Sequence, residues 1–225
     1  MRFHLGPFPE NKKFDPESEG WTAFPDVNLD TIHLRALRAS LVLFLLWLPL
    51  FLLVFPIELV TPQTIQISPN VFRIQIPILH IPFWRILTIL IATLILFIPV
   101  HELVHALCCP GWGLSADRVL GIWLPKGFLY VFHDGPMSRN RFLFVLFAPY
   151  LFLSLLSLAL IMIFRSIGWT PELILGLTWT SLLGSLLAGG DFVSLCTLLS
   201  SKVPSTALIR NNGQKSYWKP SDKIS

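Results

Sequence analysis

The chain has 225 residues, enough for one domain or a small bundle, and is 53% hydrophobic but only 13% charged. That is about half the charge of an average soluble chain, and a mean hydropathy of +0.65 makes a water-soluble globular class a poor fit. The net charge of +4 does not indicate nucleic-acid binding: the basic residues sit beside apolar runs, with no basic stripe of interleaved stacking aromatics.

Residues 1–35 read as a polar N-terminal tail, with no apolar core near its start as a cleavable signal would need. The first long apolar run, Ala36 to about Leu59, has the length of a spanning helix and carries Pro49. From Thr61 to Pro82, Ile alternates with Gln and Arg around Ser68-Pro69-Asn70, a period-two pattern that predicts a β-hairpin at the interface. The second apolar run, Phe83 to Cys109, is stopped by Pro110-Gly111.

Two further strands are predicted in "SADRVLGIWL" and "GFLYVFHDG", joined at Pro125-Lys126-Gly127. The third run, Phe142 to Phe164, contains Pro149, expected to kink it or open space; the fourth extends from about Glu172 to Ser200. Residues 201–225 form a basic C-terminal tail. The fold class expected is an all-α polytopic membrane protein, with about four transmembrane helices and short β-hairpins at the interfaces. The four-span membrane domain covers residues 36–200. Four spans place both termini on one side with most of the Lys and Arg, which predicts a multi-pass cell-membrane protein with cytoplasmic termini.

Within the second run stands "HELVH", His101 to His105. Ionisable groups are costly in hydrocarbon, so their presence there calls for a use. Positions i and i+4 share a helix face, so His101 and His105 can offer two imidazoles to one zinc ion. Glu102, rotated by about 100°, can instead take a proton from the attacking water as general base. Chance produces such a motif in this composition on the order of 0.004 times.

A catalytic zinc takes three protein ligands and leaves one position open. Glu172 and Asp191 are the candidates for the third. His101 and Asp191 each lie about 27–29 Å along helices entering from the same side, near the cytoplasmic face, whereas Glu172 lies a membrane thickness away. Gly184/Ala188 and Ser185/Gly189 add small-xxx-small spacing just before Asp191. Cys108 reads as a small buried hydrophobe, and His133 and Asp134 as turn residues with a possible role near the metal.

"HELVHA", "DGPMSRNRFLFVLFAPY" and the late "GGDF" resemble the putative zincin peptidases, small bacterial membrane proteins similar to site-two proteases. The resemblance covers roughly residues 95–215. It implies zinc at His101, His105 and Asp191, Glu102 as base, and hydrolysis of peptide bonds in or near the membrane. The expected partners are the membrane itself and a transmembrane or membrane-associated protein substrate. Site-two proteases carry the distal aspartate before glycine, whereas this chain reads Gly-Gly-Asp-Phe, and the substrate-orienting asparagine of that group has no counterpart near Ala148-Pro149. The same ligands would serve a non-catalytic zinc-binding sensor or scaffold. A transporter would instead spread its ionisable groups across the membrane.

Overall fold

The computed structural model describes residues 2–24, 29–54, 60–68, 72–79, 81–111, 115 and 117–221. Three helices or helical runs are long and apolar enough to cross a membrane: His33–Val54, Phe83–Cys108 and Arg139–Ser166. Among the described residues a fourth candidate span is present if the bent pair Pro171–Leu187 and Gly189–Ser200 counts as one. These follow the four apolar runs, with α1 at Leu29–Val54 and α2 at Phe83–Cys108.

Two of these candidate spans are not regular helix. The third consists of α3 (Arg139–Pro149), a π-helical segment (Tyr150–Leu155) and α4 (Leu156–Ser166). The fourth breaks at Ala188, where α5 (Pro171–Leu187) gives way to α6 (Gly189–Ser200) at an angle of 46°. The break lies where α1 comes closest: a methyl group on Gly189 would overlap the Ala36 carbonyl and Ser40 Oγ. Gly184 packs on a different neighbour, the π segment, where an added Cβ would meet the backbone N of Ser154 at 2.9 Å.

Deep in the bundle, Trp47 Nε1 donates to Ser181 Oγ (2.7 Å), which donates in turn to the Ser154 carbonyl (2.9 Å). A carbonyl of the π segment thus keeps a partner away from water, as an apolar surrounding demands. At the opposite end from the HELVH motif, Arg85 and Glu172 pair at 3.1 Å, tying the start of α2 to the start of α5.

The expectation of helices with short hairpins alone needs correction, because the described residues form three sheets. The first hairpin, β3 (Val60–Ser68) with β4 (Phe72–Leu79), is as expected, although Pro69, Asn70 and the nearby His80 lie outside the described residues. The second, β5 (Arg118–Trp123) with β6 (Phe128–His133), gains a third strand, since β1 (Arg2–Leu5) pairs parallel to β5. Trp112, which precedes it, also lies outside the described residues. A four-stranded sheet then runs in the order β2 (Thr22–Ala23), β9 (Lys215–Lys219), β8 (Leu208–Asn212) and β7 (Met137–Ser138).

Both polar ends therefore pack. Phe14 and Trp21 are buried, with Arg210 over the Phe14 ring (4.3 Å) and Lys219 over the Trp21 ring (4.7 Å). β1 and β2 escaped the sequence because they are four and two residues long and pair with strands more than a hundred positions away, so no local alternation announces them.

The β1-β5-β6 sheet has two unlike faces. Val119, Tyr130 and Phe132 on one face are buried against Phe8 and Trp123. The register puts Phe3, Leu5, Leu120, Ile122 and Leu129 on the other, where Phe3 is 62% and Leu5 66% exposed. On α2, Leu103 and Leu107 are also exposed.

Candidate metal centre

The HELVH segment occupies the last two turns of α2, and three contacts fix that end. The guanidinium of Arg118, fully buried, donates to the Ala106 carbonyl (3.2 Å), and Arg141 donates to the Cys109 carbonyl (3.2 Å). Cations at helix C-terminal carbonyls satisfy orphan acceptors and favour the helix dipole. The third contact is a hydrogen bond of 2.8 Å from His105 Nδ1–H to the Val145 carbonyl on α3.

That bond decides the chemistry of His105. With the proton on Nδ1, Nε2 carries a lone pair. It points at Asp191 Oδ2, 3.3 Å away, and His101 Nε2 lies 3.1 Å from the same oxygen. A neutral imidazole nitrogen and a carboxylate oxygen are both acceptors, so the meeting is relieved by a positive charge between them or on the ring. Two nitrogens and one carboxylate oxygen form a donor set that suits zinc. Zinc bonds of about 2.0–2.1 Å put the corners of a tetrahedron about 3.3–3.4 Å apart, so contacts of this length fit a common metal.

Asp191 reaches the site from the first turn of α6, three residues beyond the break. Glu102 is close as well: one ligand atom from each of His101, Glu102 and His105 fall within 4.8 Å of one another. The two carboxylates differ in what else they meet. Asp191 Oδ2 contacts both Nε2 atoms, whereas Glu102 also interacts with the backbone N–H of Val131 on β6.

The other sequence candidates separate from the centre. Glu172 pairs with Arg85 at the far end, and Cys108 is buried beside Met137, Val145 and Ala148. Asp134 lies 3.6 Å from Arg210 and 4.0 Å from Arg2. His133 is buried, and burial together with the Arg118 charge pushes its pKa down, so it is neutral at pH 7.

A cavity of about 360 Å³ opens onto the centre, and Glu102, His105, Asp191 and His133 are among its lining residues. Four consecutive β6 residues, Tyr130 to His133, line it, which is how a strand edge, rather than a face, meets a cavity. Among the described residues no strand pairs with that edge. Further lining comes from β8 and the β8–β9 turn, with Asn211, Gly213 and Gln214, and from Phe8 and Phe24. The Phe8 wall is anchored by Tyr130, whose hydroxyl donates to the Pro7 carbonyl (2.9 Å) and whose ring lies 4.4 Å from that of Phe8. The cavity roof thus belongs to the two chain ends, a contribution that sequence reasoning missed.

Fold and donor set together define a candidate His-His-carboxylate metal centre built between apolar helices. A family model described as "Putative zincin peptidase" matches residues 94–207, just over half of the chain, and the chain belongs to that family. Neither the curated proteins nor the solved structures contain a match to it.

Proposed function

We propose that this chain is a zinc-dependent metallopeptidase embedded in the cell membrane, with His101, His105 and Asp191 as the metal ligands and Glu102 as general base. The observation that carries this reading is the approach of one Asp191 oxygen to Nε2 of both histidines, at 3.1 and 3.3 Å. Zinc, when bound, supplies polarisation of the scissile carbonyl and a more acidic water. Glu102 accepts the proton of the attacking water and delivers it to the leaving amine.

Peptide hydrolysis needs an extended substrate, because a helix occupies its own carbonyls. The unpaired edge of β6 beside Glu102 supports substrate binding by strand addition. No Lys or Arg lines the cavity among the described residues, whereas Phe24, Phe142 and Leu198 do. An apolar segment of a transmembrane or membrane-associated protein suits it. The exposed apolar residues of α1 and α2 support membrane embedding, and the grouping of basic residues supports cytoplasmic termini with the site near that face.

The test is cleavage of unstructured peptides by the purified protein in detergent, with and without a chelator, beside Glu102→Gln. The reading requires cleavage that the chelator and Glu102→Gln both abolish. A protein that binds zinc through these residues yet cleaves nothing overturns the peptidase assignment.

A further inference from the structure

An α-helical carbonyl at position i is normally taken by the N–H at i+4. For Val145 that residue is Pro149, which has no N–H. The next N–H, of Tyr150, closes back on the Phe147 carbonyl and does not reach Val145. The Val145 carbonyl therefore lacks its i+4 helical partner, and a proline ring also crowds the carbonyl four residues before it, tilting it off the helix axis. Val145 and Pro149 are both buried. The donor is His105 Nδ1–H, at 2.8 Å.

We infer that Pro149 is a positioning residue for the metal centre: by lacking an N–H it reserves the Val145 carbonyl for His105, which fixes the tautomer that aims the Nε2 lone pair at Asp191. This deepens the proposed function and rests on its assignment of His105 as a ligand. Outer partners of this kind orient a ligating imidazole, and losing one typically weakens metal binding by about 10–100-fold. Pro149 touches neither metal nor substrate; it acts through Val145. In Pro149→Ala an N–H returns at position 149 and competes for the carbonyl.

The experiment measures zinc affinity by chelator competition, and the His105 tautomer by 15N NMR of the imidazole in metal-free protein, for wild type and Pro149→Ala in detergent. The expected result is a loss of about 10–100-fold in zinc affinity, with His105 no longer held as the Nδ1–H form. A third protein separates the hydrogen bond from the ring: lactic acid, the α-hydroxy analogue of alanine, at position 149 removes the N–H without restoring the proline. It should recover wild-type affinity and tautomer. Equal affinity and tautomer in wild type and Pro149→Ala overturn the inference alone. Failure of the lactic-acid protein to recover either property also overturns it, because the ring and not the absent N–H would then matter. Wild type whose zinc binding is unaffected by His105→Ala overturns the ligand assignment, and this inference with it.

Discussion

Asp191 Oδ2 lies 3.1 Å from His101 Nε2, although 90 residues separate them in the chain. The contact joins α2 to α6 at the level of the HELVH motif, and the same oxygen is 3.3 Å from His105 Nε2. Asp191→Ala should lower zinc affinity by more than the ~100-fold that loss of an outer partner can cost, and chelator competition measures it. Unchanged helical circular dichroism would show that the loss is local. Wild-type affinity in Asp191→Ala would remove Asp191 from the ligand set.

Glu102 makes a different prediction, because a base and a ligand respond oppositely to an amide. Glu102→Gln keeps the shape of the side chain but cannot accept the proton. Zinc content should stay at the wild-type level while peptide cleavage falls by about 10²–10⁴-fold, the usual range for a general base. Loss of zinc together with activity would instead make Glu102 a ligand.

The helices and the motif were legible in the sequence because they depend on local patterns. Apolar runs mark α1 and α2, i to i+4 spacing puts His101 and His105 on one face, and alternation marks β3 and β4. Counting residues gave Asp191 a height but not a direction, since it treated the fourth run as straight. The 46° bend does little to that height because Asp191 follows the break by only three residues. The break itself was not legible: it coincides with contact between Gly189 and α1, which no local rule reports. The roof of the cavity was hidden for the same reason, because β1 on β5 and β2 on β9 pair over more than a hundred residues. Pro149 was visible as a helix interruption, but its use depends on a histidine 44 positions earlier.

Close packing at Gly189 predicts a structural lesion with a functional readout. A branched side chain there would overlap the Ala36 carbonyl and Ser40 Oγ, and neither backbone nor a short side chain gives way cheaply. Gly189→Val should destabilise the protein by about 1–3 kcal/mol and displace the first turn of α6, which carries Asp191. Thermal unfolding in detergent and zinc affinity should fall together. An undiminished unfolding temperature would mean that α1 and α6 do not pack closely at Gly189.

His133 supplies a pH dependence outside the spans. Burial first, and then the neighbouring Arg118 charge, lower its pKa in the folded protein, while Asp117 and Asp134 push weakly the other way. Once unfolded, the ring takes up a proton near its ordinary value of 6.5. Above that pH neither state binds the proton and the stability is intact. As pH falls below 6.5 the unfolded chain binds it first, so stability declines until the lowered folded pKa is passed. His133→Gln removes this contribution and leaves every other group the same in both proteins. Wild type should therefore lose more thermal stability than His133→Gln between pH 7.5 and pH 5.5. Parallel losses in the two proteins would mean that His133 is not held neutral by its burial beside Arg118.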